Sequence, residues 1–274
     1  DCDDTDPAVN PNTLWYPDQD EDGYGDTTDS GTKSCASPAD GTFSINALDC
    51  DDSKPEVFPG SETVIAMTSF EQAESLTGDY VDVSCSSLND GSPCDPATDP
   101  HRLANNPGQK IVSWAADDQE IGFSMTIEPS GSGQGAVDGD TIGVTGQQGV
   151  VNTFPDGVQG LRMEDSDGVL TLALDTVLLD TYGSAEVSLS LFVDDTGWEV
   201  SDVITVWVQT DVATVELLNT DGSDIDDLGL EETWTVLSTS LDGAQEATLH
   251  VSLEANADLE IIYVDNIQFT GRCD

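Results

Sequence analysis

The sequence predicts a mainly β fold: a jelly-roll β-sandwich preceded by a small, irregular region that bound metal and disulfides would have to stabilise. Three observations lead there. From Glu62 onward, short runs of alternating apolar residues are separated by Gly, Asp and Asn, and no segment of useful length carries a helical period. Before Glu62 little could form a core, yet acidic residues recur at regular spacings and one motif appears twice. The six cysteines are even in number and form no CxxC pair, as in a disulfide framework. The expected organisation is a repeat region over 1–61 and a sandwich over 62–274.

Composition excludes several function classes. Lys and Arg number 6 against 55 Asp and Glu, a formal charge of -49. Six scattered cations cannot build the basic surface that nucleic-acid phosphates or an anionic membrane require. The 274 residues contain no apolar run long enough to span a bilayer. With no signal peptide at Asp1, the chain reads as a mature or trimmed secreted product, extracellular or at the cell surface. Only two histidines, His101 and His250, accompany the cysteines, so a zinc or redox centre is poorly supported and structural disulfides are the better reading. Sequence proximity suggests Cys35 with Cys50 and Cys85 with Cys94. Cys2 and Cys273 are left either to close the molecule or to bond to neighbouring material.

In chain order, the first feature is Asp-Cys-Asp-Asp at 1–4, which returns at 49–52, each copy followed by Pro, Val and Pro at the same offsets. Acids alternate with a hydroxyl residue in both copies, Asp1/Asp3/Thr5 and Asp49/Asp51/Ser53, a pattern suited to oxygen ligation of a hard cation. Between the copies, Asp18, Asp20, Asp22, Asp26 and Asp29 occupy the first, third, fifth, ninth and twelfth positions of a loop with Gly23 at the sixth. That is the spacing of a calcium loop, in which the seventh residue, here Tyr24, offers its backbone carbonyl. Asp29 is shorter than the Glu usual at the last position. A segment this polar cannot offset its chain entropy by burying apolar surface, and it is expected to be disordered without calcium.

The stretch Trp15-Tyr16-Pro17-Asp18-x-Asp20-x-Asp22-Gly23-Tyr24-Gly25-Asp26, followed by Cys35, Ala36, Pro38 and Asp49-Cys50-Asp51-Asp52, resembles the MopE-type metal-binding repeat of secreted bacterial surface proteins. More distantly it is similar to the calcium repeats of thrombospondins. Some members of the repeat family are associated with copper, but copper prefers His, Cys or Met donors, and residues 1–60 hold neither His nor Met. Ca²⁺ is the expected ion. The resemblance also implies that the Cys of Asp-Cys-Asp-Asp pairs upstream, which leaves Cys2 without its usual partner and points it to Cys273 or to a second molecule.

Strands are expected near 63–70, 80–84, 110–115, 120–128, 140–145, 168–174, 185–194, 202–209, 213–219, 233–240, 245–253 and 259–270, a number and spacing that fit two packed sheets. Leu249, Val251 and Leu253 would face inward and His250 outward. Trp234 and Phe269 read as core, and Trp198, in a Gly-containing turn, as a cap on the sandwich. Motifs such as Ser69-Phe70-Glu71, Phe154-Pro155-Asp156-Gly157 and Tyr263-Val264-Asp265-Asn266-Ile267 look like an accessory jelly-roll domain of secreted bacterial proteins, similar at its ends to carbohydrate-binding modules. That resemblance implies a structural calcium between Glu71 and Asp265. Asp224, Asp226 and Asp227 form a weaker third acidic candidate.

No catalytic constellation emerges. Gly131-Ser132-Gly133 reads as a flexible loop and not a strand-to-helix elbow. The histidines are too few and too separated for a zinc hydrolase, and paired carboxylates carry no information in so acidic a chain. Trp207 shares a strand face with Thr205 and Gln209, opposite Ile204, Val206 and Val208, so it is either an exposed sugar platform or the cover of a sheet edge or intermolecular contact. The sequence thus points to a non-enzymatic, calcium-binding extracellular structural or adhesive protein, a cell-surface module or a subunit of an assembly or filament. Its partners would be further copies of itself or cell-surface components. The alternative is a carbohydrate-binding accessory module of a secreted enzyme, with a polysaccharide partner.

Overall fold

The computed structural model describes residues 2, 8–71, 80–82, 101–105, 120–129, 142–146, 151, 153–166, 168–195, 197–257 and 260–273. Asp1, Asp3, Ser132, Cys85, Cys94 and the strand expected over 110–115 lie outside them.

The first region is built on one apolar run. Leu-Trp-Tyr-Pro forms β1 (Leu14–Pro17), flanked by the two-residue strands β2 (Thr32–Lys33) and β3 (Phe43–Ser44), both antiparallel to it. Everything between is turn. From residue 62 the chain becomes regular: β4 (Glu62–Thr68), β5 (Tyr80–Asp82), β6 (His101–Asn105), β7 (Phe123–Pro129), β8 (Gly143–Thr145), β9 (Gly160–Glu164), β10 (Gly168–Leu174), β11 (Val177–Leu178), β12 (Ser184–Val193), β13 (Val203–Thr210), β14 (Thr214–Asn219), β15 (Thr235–Ser240), β16 (Glu246–Ala255) and β17 (Ile261–Arg272). The only helical element among the described residues is a single 3-10 turn, Ile225–Asp227.

These strands make two antiparallel sheets packed as a sandwich. One runs β14-β13-β16-β10-β7-β6-β5 with β11 on β16; the other runs β15-β12-β17-β9-β8 with β4 also on β17. Because β17 is twelve residues long, its first half pairs with β9 and its second with β4, so the first strand of the sandwich lies beside the last. Alternation puts Leu170 and Leu172 (β10), Ile204, Val206 and Val208 (β13), and Leu249, Val251 and Leu253 (β16) inside, all fully buried. They face Val187, Leu189, Ile262, Val264, Ile267 and Phe269 of the other sheet, in one continuous core. The register of β12 against β17 shifts between Ser188 and Ser190, and Asn266 takes φ 47° there. This β-bulge lets Val264 and Ile267 both point inward although they lie three positions apart, and leaves Tyr263 and Asp265 on the outer face. That outer face carries a second cluster, in which Phe154, Phe192 and Trp234 close over Tyr263.

Besides β1, β2 and β3 of the first region, three strands of the sandwich were not anticipated. In β9, Gly-Leu-Arg-Met-Glu, Leu161 and Met163 point inward, but two alternating apolar residues are too short a signal between flanking turns. β11 has two residues, and β6 has Leu103 as its one large apolar residue.

The disulfides correct the proximity reading. Cys35 pairs with Cys2, and Cys50 pairs with Cys273, with Cα separations of 5.2 and 5.8 Å. Cys35 is therefore not joined to Cys50, and Cys2 does have a partner within the chain. Sheet pairing decides this. The Ser34 N–H donates to the Thr13 carbonyl and the Trp15 indole N–H to the Ser34 carbonyl, which carries Cys35 back to the chain start. Asp49 bridges Asp26 at the other end, turning Cys50 towards the end of β17, where the Gly60 N–H donates to the Cys273 carbonyl. Both terminal cysteines are thus used inside the molecule, but Cys2 is joined neither to Cys273 nor to neighbouring material, so both expected alternatives are corrected.

Candidate metal centre

Asp18, Asp20 and Asp22 each place a carboxylate oxygen within 4.8 Å of the other two, and Asp20, Asp49 and Asp52 do the same. The loop after β1 and the second Asp-Cys-Asp-Asp motif fold this way because one oxygen of Asp20, Asp22, Asp49 and Asp52 anchors backbone. The Asp22 N–H donates to Asp20 Oδ1 at 3.2 Å, Tyr24 N–H to Asp22 Oδ1 at 2.8 Å, Asp51 N–H to Asp49 Oδ1 at 2.9 Å and Gln19 N–H to Asp52 Oδ1 at 2.7 Å. Gly23, at φ 98°, supplies the left-handed turn that side-chain-bearing residues resist. Gly25 is required for space, since a Cβ there would lie 2.5 Å from the Tyr16 Cβ. The Gly25 and Asp26 N–H groups donate to the Asn46 and Pro17 carbonyls, and the Thr27 and Asp49 N–H groups donate to the Asp49 and Gly25 carbonyls at 3.0 Å.

With one oxygen of Asp20, Asp22 and Asp49 so engaged, their second oxygens turn inward. Asp18 Oδ1, Asp20 Oδ2, Asp22 Oδ2, Asp49 Oδ2 and Asn46 Oδ1 are buried with no hydrogen-bond partner. Asp18 is 3% and Asp49 1% exposed. Buried acceptors without donors are rare and costly. Burial pushes the Asp49 carboxyl up to about 6, against its backbone hydrogen bond and helped by the nearby charges of Asp22, Asp20 and Asp52. Burial and like charge raise Asp22 and Asp52 as well. An all-oxygen donor set with orphaned lone pairs fits a hard cation such as Ca²⁺, which takes six to eight oxygens.

The remaining sequence candidates are placed differently. Asp26 Oδ1 accepts from the N–H and hydroxyl of Thr28, each at 2.6 Å, and Asp29 Oδ1 from the Gly31 N–H at 2.7 Å, both in exposed turns. Asp51 faces away, bonded to the Ser53 hydroxyl and paired with Lys54 at 3.0 Å. Burial raises its carboxyl, but those partners outweigh it and the net shift is down. The Tyr24 ring stacks on Phe58. Asp52 and Asn46 were missed; for Asp52 the signal lay in the doubled Asp-Cys-Asp-Asp motif, read at alternate positions when its first and fourth residues converge.

Glu71 and Asp265 meet at the exit of β4 and the β17 bulge, where both hold the loop over 155–159. Glu71 Oε1 accepts from the Val158 and Gln159 N–H groups at 2.7 and 2.8 Å, and Asp265 from those of Asp156 and Asn266 at 3.0 and 2.6 Å. Burial pushes Asp265 up to about 7, with Asp156 and Glu71 adding to it and those two hydrogen bonds opposing it. Asp224 caps the 3-10 turn and Asp226 accepts from the Trp198 N–H, so this acidic run holds a buried Trp198 in place. A triad the sequence reading did not single out, Glu199, Asp202 and Glu260, joins the loop before β13 to that before β17. Its buried members accept from the Glu199, Asn256 and Ala257 N–H groups. Trp207 stands on the outer face of the larger sheet, stacked on His250 with ring centroids 4.8 Å apart, beside an open groove lined by Thr205, Thr214, Glu216 and Ser252. Burial lowers the His250 pKa.

No family model and no curated protein matches the chain. Solved structures similar to it include TmCBM61 in complex with β-1,4-galactotriose, with 12% identity and a TM-score of 0.35 over 54% of this chain and 86% of that one. A cleaved adhesin domain, K3, of Lys-gingipain from Porphyromonas gingivalis W83 matches at 11% identity and TM-score 0.31 over 77% and 99%. The CBM22-1–GH10 modules of Clostridium thermocellum xylanase 10B match at 12% and 0.30, over 48% of this chain but 24% of that one. Likenesses this distant carry no inference about ligands, and the sandwich rests on the strand pairing of this chain itself.

Proposed function

We propose that this chain is a non-catalytic, calcium-binding extracellular module whose role is structural or adhesive, with the cation ordering its N-terminal repeat region. The five buried, unpartnered oxygens of Asp18, Asp20, Asp22, Asn46 and Asp49 carry this reading. They belong to two segments about thirty residues apart, and Asp49 adjoins Cys50, whose disulfide reaches β17. Calcium at this place would neutralise repelling carboxylates and order the repeat region, which the Cys50–Cys273 disulfide ties to the sandwich. A charge of -49 also makes divalent cations suited to bridging further copies or cell-surface components. Titration calorimetry of chelator-stripped protein should show calcium uptake that Asp20→Asn weakens at least tenfold. Light scattering in millimolar calcium and then in chelator tests the assembly: a monomer in both conditions rejects it.

The groove beside Trp207 favours a second reading, a polysaccharide-binding face. An indole flanked by hydroxyl-bearing Thr205, Thr214 and Ser252 offers both the apolar surface and the hydrogen-bonding groups that a sugar ring uses. Retention on an insoluble polysaccharide that Trp207→Ala abolishes would support it, and retention unchanged by that substitution would remove it.

A further inference from the structure

Among the described residues, β14, β5 and β11 of the larger sheet and β15, β8 and β4 of the smaller have a strand on one side only. Such edges offer unpaired N–H and C=O groups to any other chain, and native proteins guard them with charge, brevity, irregularity or cover. Glu216, Asp82 and Glu62 stand in β14, β5 and β4, β11 has two residues, and the three residues of β8 are buried. β15 has none of these protections. It pairs with β12 along its whole length without a register shift, and Thr-Val-Leu-Ser-Thr-Ser holds no charge and no proline in a chain with 55 acids among 274 residues. Val236, at its centre, is 68% exposed.

The Leu241 N–H donates to the Ala185 carbonyl just beyond the Ser240–Glu186 pair, which sets the phase of the ladder. Alternation then turns the N–H and C=O groups of Thr235, Leu237 and Thr239 to β12, and those of Val236, Ser238 and Ser240 to the open side. Leu237 packs against the core, while the side chains of Val236, Ser238 and Ser240 are exposed. A second copy related by a two-fold axis through Ser238 meets this edge with Ser238 opposite Ser238 and Val236 opposite Ser240, each pair on the same face. Every open backbone group of the strand then has a partner. The acids nearest the strand, Glu232 and Asp242, fall opposite Ala244 and Trp234 of the second copy, so like charges do not face each other.

We infer that β15 is a docking edge at which two copies of this chain pair antiparallel about Ser238, joining their smaller sheets into one. This rests on the reading of the chain as a subunit that meets further copies, and goes beyond it by naming a surface that needs no cation. The charge of -49 on each copy opposes contact, so the pairing strengthens as salt screens it.

Sedimentation velocity of the full, disulfide-intact chain in about 1 M salt, where charges are screened beyond about 3 Å, tests the edge with calcium and then with chelator. The wild type should dimerise in both. Val236→Glu should weaken the dimer by roughly tenfold or more, and Ser238→Pro, which removes an N–H on the open side and none donated to β12, should abolish it. Amide exchange adds a readout that needs no variant: protection of Val236, Ser238 and Ser240 should rise with protein concentration, while Leu237 and Thr239 stay protected throughout. A monomer in both conditions overturns the inference together with the assembly reading and leaves calcium uptake to its own test. An oligomer that forms only with calcium, or that Val236→Glu leaves intact, overturns the edge while the assembly reading stands. Should Ser238→Pro not fold, Val236→Glu and the exchange pattern decide, and exchange at Val236, Ser238 and Ser240 that ignores concentration overturns the inference.

Discussion

The two regions of this molecule are built on opposite principles. In the sandwich, alternating strands bury Leu, Val, Ile and Phe in a continuous core between two sheets. Among the described residues before β4, Val57 is the single buried hydrophobic, while Asp18, Asp49, Thr13 and Ser44 are buried polar residues. One region gains stability by removing apolar surface from water. The other surrounds carboxylates with backbone, is held by two disulfides, and on the proposed calcium reading needs a cation to balance the cost. The contrast teaches that burial alone does not mark a core: the first region buries carboxylates where the sandwich buries apolar side chains.

The largest test of the contrast strikes the sandwich. Phe269→Ala, at a fully buried position on β17, should cost about 3–5 kcal/mol in denaturant unfolding. An equivalent truncation of Tyr16, half-buried on β1, should cost clearly less. If both cost the same, the first region has an apolar core after all. Next, replacing Cys50 and Cys273 together by Ser opens a link between residues 223 positions apart and should lower stability by about 2–5 kcal/mol. Calorimetry should then resolve two transitions, of which only the lower moves with calcium.

Removing metal should act on one region alone. At calcium a hundredfold above its dissociation constant, binding adds about 2.7 kcal/mol that stripping takes away. Amide exchange should rise at Gly25, Thr27 and Asp49 and stay unchanged along β10, β13 and β16. The metal-free protein should also respond to pH in a defined sense. Asp49 and Asp265 have folded-state values of about 6 and 7 against an ordinary 3.8, so folding takes up protons. Their contribution is complete below about 3.8 and is lost as pH rises through 6 and 7. Metal-free melting temperatures should therefore be higher at pH 5 than at pH 8, and saturating calcium, by favouring the ionised carboxylates, should reverse the order. The smallest effect is expected at the exposed Arg272–Glu62 pair joining β17 to β4, where Arg272→Met should change stability by less than about 1 kcal/mol.

Much of this was legible in the chain. The period-two runs around Val206, Leu172 and Val251 specified strands and their inward faces, and the absence of a helical period specified the class, because strand alternation is a local property. The spacing of Asp18, Asp20 and Asp22 around Gly23 likewise marked a loop whose acids converge, since Asx turns form between near neighbours. Sequence proximity did not supply the partners across the chain. That Asp49 and Asp52 join the Asp20 cluster, that Asp29 turns out to solvent, that Cys2 joins Cys35 and Cys50 joins Cys273, and that a bulge at Asn266 carries Asp265 to the Glu71 loop were decided by pairing between distant segments. Local pattern determines what each segment can be; which segments meet depends on packing and on electrostatics summed over the whole fold, and only the tertiary structure records that choice.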